Sequence, residues 1–208
     1  PSMLDRAGFD AWTSDYEGSV ARCAAAGDYP FAGYHAVLDG IFDAVSRKEG
    51  ASVLDLGFGT GALAGRLYEA GHPISGVDFS EKMAASARKR MPDAELIVYD
   101  FARGLPPAFS ARRFDFILST YAVHHLDPGQ QTALLRALSA HLLPGGAVLL
   151  GDVAFGTRAE EAACRREAAE AWDPDEHYLI FEELQCLFPY ATFRKISRCA
   201  GIVTIPAI

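Results

Sequence analysis

Residues 53–61 read Val-Leu-Asp-Leu-Gly-Phe-Gly-Thr-Gly, and this stretch decides the fold class. An apolar run typical of a buried strand ends at Leu56, three alternating glycines follow, and an Ala/Leu-rich helical pattern begins near Ala62. Glycines suit such a turn because they tolerate positive φ and let a ligand approach bare backbone. The unpaired N–H groups at the start of the new helix point toward the same place. The stretch therefore predicts a strand–loop–helix unit that binds a ligand at its loop.

The glycine spacing alone does not choose between two classes of ligand. Gly57, Gly59 and Ala62 also satisfy the dinucleotide fingerprint of NAD enzymes, in which a small residue closes the pattern. NAD enzymes carry an acid at the end of the second strand, about 20 residues after the glycines, and so do other proteins that bind a nucleoside at such a loop. Asp78 fits that place, at a strand end that we expect to be exposed. Its carboxylate suits the ribose hydroxyls of an adenosine that lacks a 2′-phosphate.

Composition limits the classes of protein that this chain can represent. With 208 residues and 50% hydrophobic residues, it predicts a single domain over residues 1–208. The net charge of −8 disfavours a surface that binds nucleic-acid phosphates. The four cysteines lack paired spacing, so we expect neither disulfides nor a metal site. No apolar run approaches the roughly 20 residues that a bilayer needs, and no charged-then-apolar leader opens the chain. These features predict a cytoplasmic protein that does not bind membranes.

Strand and helix patterns alternate through the middle of the chain. Short β-rich apolar runs predict strands near 51–56, 73–77, 94–99, 114–119 and 147–152. Helical patterns fill the gaps near 61–70, 80–91 and 129–142, with Ser80 as an N-cap. This alternation predicts a mostly parallel sheet with helices on both faces. Ligands of such folds bind outside the carboxyl ends of the strands, so the residues after the strand ends should converge on one crevice.

The two ends of the chain depart from a plain dinucleotide-binding pattern. Residues 1–48 include two or three amphipathic helices rich in aromatic residues, which we expect to form a lid on the core at 49–153. Residues 154–208 predict two helices, near 157–171 and 178–187, and then two strands at 191–197 and 201–205. The connection between those strands is so short that they must pair antiparallel. A parallel sheet that finishes in an antiparallel strand disfavours an NAD-dependent oxidoreductase, the first alternative.

Five blocks of sequence in this order resemble those of class I S-adenosylmethionine-dependent methyltransferases of the methyltransferase-11 type. They are residues 53–61, Val-Asp-Phe-Ser at 77–80, Tyr-Asp-Phe at 99–101, Phe-Asp-Phe-Ile-Leu-Ser at 114–119 with Tyr-Ala-Val-His-His-Leu at 121–126, and Leu-Pro-Gly-Gly at 143–146. The layout outside them is similar to that of the YrrT-like bacterial methyltransferases. The resemblance implies a Rossmann-like three-layer α/β sandwich whose seven-stranded, mostly parallel sheet has its last strand antiparallel. It also implies S-adenosylmethionine as cofactor and S-adenosylhomocysteine (SAH) as product.

The resemblance and the side-chain chemistry together imply which residues would contact the methionine part of the cofactor. The backbone of Gly57, Gly59 and Gly61 would pass beside it. The Asp55 carboxylate would reach its ammonium group. The backbone carbonyls of Ser119 and Thr120, at a strand end, would surround the ammonium and sulfonium. The alternative for Asp55 is a carboxylate that only caps the turn.

The adenosine part would contact a second group of residues. Asp78 would hold the ribose diol, while Phe79 and Met83 would pack on the adenine faces, since a flat purine gains from aromatic and thioether contacts. Asp100 would accept from the adenine amino group, and the Phe101 backbone N–H would meet a ring nitrogen. These assignments follow from the resemblance.

Methyl transfer from a sulfonium is an in-line displacement that depends mainly on alignment. Positioning can supply up to roughly 7–11 kcal/mol of the barrier reduction. A general base is needed only when the acceptor must lose a proton. His125 and Tyr121 are the candidates, with Asp152 third, because they follow the fourth or fifth predicted strand. A structural or positioning role for the histidine pair is the alternative.

The acceptor pocket is predicted to be enclosed by polar-tipped aromatic and imidazole side chains that would exclude water. They are Trp12, Tyr16, His124 and Tyr178. Ser119–Ala122 replaces the Asn-Pro-Pro-Tyr type of motif, which counts against nucleic-acid bases and glutamine amides as acceptors and favours a small molecule. A second alternative is a non-catalytic S-adenosylmethionine-binding module, with the N-terminal helices as the face of a homodimer.

Overall fold

The computed structural model describes residue 18, residue 24 and residues 27–207. Trp12, Tyr16 and half of the predicted N-terminal lid at residues 1–48 lie outside the described residues, so their predicted roles stay predictions. Among the residues that are described, no helix combines the length and the apolar character needed to cross a membrane.

A mixed sheet organises the described part of the chain. Its strands are β1 (Val53–Leu56), β2 (Ile74–Asp78), β3 (Glu95–Val98), β4 (Phe114–Thr120), β5 (Leu142–Phe155), β6 (Leu179–Ile180), β7 (Thr192–Lys195) and β8 (Ala200–Pro206). The order is β3-β2-β1-β4-β5-β8-β7, and the short β6 pairs separately with β5. Strands β1 to β5 run parallel, whereas β8 lies antiparallel to both β5 and β7. The predicted parallel sheet with an antiparallel end is confirmed.

Helices cover both faces of this sheet. They are α1 (Tyr34–Ser46), α2 (Ala62–Glu69), α3 (Glu81–Arg90), α4 (Pro128–Ser139), α5 (Arg158–Ala168) and α6 (Phe181–Leu187). Apolar residues of α1, α2 and α3 pack in one buried cluster, and those of α4 and α6 pack in a second. The chain therefore forms a three-layer sandwich, as the alternating pattern predicts.

Local hydrogen bonds explain where two of the site-forming helices begin. The Ser80 hydroxyl accepts from the Met83 N–H at 3.3 Å, so the predicted N-cap of α3 is confirmed. Asp127 and Gln130 form a capping box at the start of α4. Both helices start beside the carboxyl edge of the sheet and so present their first turns to the same crevice.

The Leu-Pro-Gly-Gly segment differs from its prediction. It was expected to separate a helix from a strand that starts near 147, but β5 already begins at Leu142. Phe114 pairs with Leu142 and Phe116 pairs with Ala147, so residues of β5 bulge out between these two pairs. A Cβ on Gly146 would lie 2.4 Å from the Asp115 carbonyl oxygen, so the backbones meet too closely there for a side chain. The glycine thus permits a bulge inside a strand.

The segment after β5 also differs in detail. The predicted helix near 178–187 begins only at Phe181, because Leu179–Ile180 pairs with the end of β5 as the two-residue strand β6. This strand is the eighth, in addition to the seven predicted.

Candidate functional site

A cavity of about 610 Å³ lies where β1 to β4 end. Its volume falls within the range of about 300–1,000 Å³ that small-molecule sites occupy. Ten of the residues predicted to bind cofactor or acceptor line it: Gly57, Gly59, Asp78, Phe79, Met83, Asp100, Phe101, Thr120, Tyr121 and His125. They come from four separate loops and the first turn of α3. The expected convergence at the carboxyl edge is therefore what the structure shows.

The glycine loop brings bare backbone to the cavity. Gly57 has φ +77°, and a Cβ added to it would lie 2.6 Å from the Ala122 Cβ and 3.4 Å from the Phe101 ring. Gly61 also has positive φ, but its absent Cβ faces Met91 at 2.9 Å, and it does not line the cavity. The first glycine thus permits close approach at the cavity wall, and the last one permits α2 to pack against α3.

Asp78 is buried, with 4% of its surface exposed, which corrects the expected exposed position. One carboxylate oxygen accepts from the Gly59 N–H at 2.8 Å, and the other accepts from the Ser80 N–H at 2.9 Å. The carboxylate therefore ties the glycine loop to the start of α3. A carboxylate oxygen has two lone pairs and can accept more than one hydrogen bond, so a structural role of Asp78 is compatible with a role in ligand binding.

Asp55 lies inside β1 and is 1% exposed. Its Oδ1 atom has no hydrogen-bond partner among the residues that the structure describes, and it does not line the cavity wall. Burial, and then the nearby charge of Asp78, raise the pKa of Asp55 from 3.8 to about 7. A buried carboxyl group with an unpaired oxygen is a costly feature, and a nearby positive charge would stabilise its ionised form.

Replacing Asp55 with asparagine is expected to stabilise the ligand-free protein at high pH. The raised pKa means that the folded protein retains a proton that the unfolded chain has lost, so stability falls as pH rises from about 4 to about 7. Asparagine does not titrate, so Asp55→Asn should exceed the parent at pH 8 by about 1–3 kcal/mol and by less at pH 5. Urea unfolding at both pH values measures this difference. The exposed Asp43→Asn is the matched control, and equal or lower stability of Asp55→Asn at pH 8 would contradict the expectation.

Ser119 and Asp100 make local bonds that hold the site in shape. The fully buried Ser119 hydroxyl donates to the Leu56 carbonyl at 2.9 Å, which joins β4 to β1, and Ser119 does not line the cavity. The half-exposed Asp100 accepts from the Ala102 N–H at 3.0 Å and caps the short helical turn that follows β3. Asp100 does line the cavity, beside Tyr99.

Tyr121 adopts a backbone conformation that its sequence context did not predict. Its φ is +50°, which is unusual for a residue with a side chain. Its N–H donates to the Gly151 carbonyl at 2.9 Å, and its ring lies 5.4 Å from the Phe31 ring and 5.2 Å from the Tyr34 ring. Such strained residues cluster at functional sites, because the surrounding packing must hold them in place. Tyr121 is 7% exposed and lines the cavity.

His124 and Tyr178 belong to a buried polar network and do not line the cavity. The Nδ1 atom of His124 lies 2.5 Å from Asp152 Oδ1, and its Nε2 atom lies 3.5 Å from Glu176 Oε1. The Tyr178 hydroxyl donates to Glu176 Oε2 at 2.6 Å. Burial opposes the charged form of His124, but the charge and hydrogen bond of Asp152 raise its pKa above the ordinary value. Asp152, the third candidate base, is thus fully buried behind His124.

Two residues of the site region, Gln131 and Glu176, are not predicted by any sequence pattern. Gln131 donates through its amide nitrogen to the carbonyls of Val123 and Leu126, both at 3.1 Å, and of His177 at 2.6 Å, so it fastens the turn after β4. Glu176 approaches both histidines of that turn. A glutamine in an amphipathic helix and an acid in a polar loop resemble surface residues in sequence, so neither gave a signal.

Comparisons with known proteins agree with this architecture. A family model described as a methyltransferase domain matches residues 53–146. An uncharacterized methyltransferase of Geobacillus sp. strain WCH70 is 34% identical over 173 residues, which cover 82% of this chain and 76% of that protein. The uncharacterized methyltransferase YrrT of Bacillus subtilis strain 168 is 29% identical, over 85% of this chain and 78% of its own.

A solved structure shares the fold. Magnesium protoporphyrin IX methyltransferase from Synechocystis PCC 6803, with bound SAH, matches with a TM-score of 0.70 and 16% identity. The match covers 99% of this chain and 97% of that one.

Proposed function

This chain belongs to the methyltransferase family of these bacterial relatives, and from that premise we propose that it transfers the methyl group of S-adenosylmethionine to a small-molecule acceptor. The observation that carries the proposal is the wall of the cavity. There Gly57, which has no room for a side chain, and Gly59, whose N–H donates to the buried carboxylate of Asp78, line the same cavity as the apolar side chains of Phe79 and Met83.

The residues present fit the parts of S-adenosylmethionine. The Gly57 backbone suits a methionine moiety at the cavity wall, and the buried carboxyl of Asp55, two residues before it and not itself on the wall, would stabilise a positively charged ammonium group by its charge. Asp78 suits the ribose diol, and Phe79 and Met83 supply apolar surface for the purine. NAD also carries a ribose diol, but the antiparallel β8 and the family relationship favour the methyl donor.

When bound, S-adenosylmethionine would supply an electrophilic methyl group on a cationic sulfur. The task of this chain's residues is then to align an acceptor and to exclude water. Tyr121 and His125 are the proposed acceptor-facing residues, because both line the cavity beside Thr120. The packing of Tyr121 against Phe31 and Tyr34 fixes its ring on the cavity wall. Asp152 is the weaker candidate for contact with the acceptor, since it is buried behind His124.

A small-molecule acceptor and a cytoplasmic location complete the proposal. The cavity is of small-molecule size, and the net charge of −8 does not suit a nucleic-acid surface. Strand β4 ends at Thr120, which lines the cavity together with Tyr121, the residue that follows it.

Isothermal titration calorimetry tests the choice of cofactor. S-adenosylmethionine and SAH are each expected to bind with micromolar affinity, about −8 kcal/mol, whereas NAD should give no heat of binding. Binding of NAD with no response to S-adenosylmethionine would overturn the proposal.

A turnover experiment separates an enzyme from a non-catalytic binding module. The protein is incubated with S-adenosylmethionine labelled in its methyl group and with fractionated metabolite extracts. We expect labelled small-molecule product together with an equal amount of released SAH. Tight cofactor binding without SAH release in any fraction would instead favour the binding module.

A further inference from the structure

We propose that His124, His125 and Glu176 form a binding site for a divalent transition-metal ion of the Zn²⁺ class, at the inner side of the cavity. One potential ligand atom from each of these three side chains lies within 4.8 Å of the other two. Among the described residues, no other three histidine, cysteine or acidic side chains come together in this way. The expectation of no metal site was based on the spacing of the cysteines. That spacing carries no information about a site built from two histidines and a glutamate. Metal binding here is independent of the proposed methyl transfer.

The spacing of the three side chains is the first support. Glu176 Oε1 lies 3.5 Å from His124 Nε2 and 3.8 Å from His125 Nδ1. Both separations exceed the 2.7–3.2 Å of ordinary N–H···O hydrogen bonds. Ligand atoms placed tetrahedrally around Zn²⁺, each at about 2.0–2.2 Å, are roughly 3.3–3.6 Å apart. The carboxylate oxygen therefore already stands at about the distance from each imidazole that a shared ion would impose.

Side chains that hydrogen-bond to the proposed ligands and orient them are the second support. The Nδ1 atom of His124 lies against Asp152 Oδ1, so in the neutral form of the ring the proton is on Nδ1 and Nε2 carries the lone pair that an ion would need. This carboxylate–histidine arrangement is the usual outer partner of a metal-bound imidazole. The Tyr178 hydroxyl binds the Oε2 atom of Glu176 at 2.6 Å and leaves Oε1 directed at the histidines. Two of the three ligands are thus oriented before any ion arrives.

Charge is the third support. Asp152 is fully buried and the Glu176 side chain is 14% exposed, so two carboxylates lie close together away from water. Asp152 Oδ2 has no hydrogen-bond partner within the described part of the chain. A proton on His124 would offset one of the two negative charges, whereas a divalent cation would offset both. Two histidines and one carboxylate are donors that Zn²⁺ and related ions prefer.

The position of the site connects it to the cavity. His125 lines the cavity wall, while His124 and Glu176 lie behind it. An ion held by three protein ligands keeps a further coordination position. Orientation of an acceptor, unlike metal binding itself, rests on the proposed methyl transfer: an acceptor that carries an anionic oxygen or a thiolate sulfur is the class of small molecule that the ion would orient.

Metal titration of the intact, chelator-treated protein tests the proposal. Titration with Co²⁺ should give the intense visible absorption of a four- or five-coordinate ion at one equivalent, and Zn²⁺ should displace it. Glu176→Gln and His125→Asn should each weaken Zn²⁺ binding at least tenfold. Asp173→Asn and His141→Gln are the matched controls, because each removes an acid or an imidazole outside the cluster, and they should bind Zn²⁺ within about twofold of the parent.

The possible outcomes separate the metal site from a proton-bridged cluster. If His124 is instead an imidazolium between Asp152 and Glu176, the parent will bind no stoichiometric Co²⁺ or Zn²⁺, and the proposal fails. Equal loss of affinity in Asp173→Asn and Glu176→Gln would also overturn it, since that result indicates general electrostatic attraction. Stoichiometric binding by the parent supports the site even if a cluster variant does not fold. None of these measurements uses S-adenosylmethionine, so the result is separate from the test of methyl transfer.

Discussion

Gly57→Ala is expected to abolish cofactor binding and to cost the ligand-free protein about 2–5 kcal/mol of stability. About 1–2 kcal/mol comes from placing a side chain at φ +77°. The remainder comes from overlap, because the new methyl group would lie 2.6 Å from the Ala122 Cβ and 3.4 Å from the Phe101 ring. Both neighbours line the cavity, so relief of the overlap must distort its wall.

Gly145→Ala is a closely matched control for this experiment. Gly145 has the same φ of +77°, but a Cβ there would meet no atom within 4 Å. The control therefore carries the backbone strain alone, and it should lose about 1–2 kcal/mol while binding S-adenosylmethionine normally. Urea unfolding and calorimetry of both variants provide the comparison. If the two variants lose equal stability and both bind cofactor, the close contact at Gly57 is not essential.

Asp78→Ala is expected to weaken cofactor affinity and to destabilise the ligand-free protein, each by about 1–3 kcal/mol. The carboxylate accepts from the backbone N–H groups of Gly59 and Ser80, and the alanine variant leaves both without this acceptor. Removal of its charge also lowers the pKa of Asp55, which offsets part of the loss in stability. The affinity loss corresponds to roughly 5- to 150-fold in Kd.

Asp78→Asn separates the two roles of this side chain. Asparagine keeps one acceptor oxygen, so it can satisfy either the Gly59 or the Ser80 N–H but not both. Its stability should therefore lie between those of the parent and Asp78→Ala, while its cofactor affinity falls nearly as far as that of the alanine variant. Parent-like melting and parent-like affinity in both variants would show that Asp78 neither anchors the glycine loop nor binds the ligand.

Predictions based on local pattern agreed well with the structure. The alternation of short apolar runs with helical periodicity predicted the parallel strands β1 to β5, and the short connection near residue 199 predicted the antiparallel pair β7–β8. Both predictions rest on residues that are close together in the sequence. The start of β5 was placed wrongly because Pro144 and Gly145 resemble a turn, while the pairing that holds Leu142 in the sheet comes from Phe114 on another strand.

The sequence by itself determined the parallel sheet, the glycine loop after β1 and the edge at which the cavity lies, because strand period, glycine spacing and strand direction are local properties. Only the tertiary structure decided the state of the side chains at that edge. Asp78 is buried and accepts from the Gly59 N–H, and His124 contacts both Asp152 and Glu176 because three distant segments pack together. Burial and charge pairing depend on which segments meet in space, and no local pattern specifies those meetings.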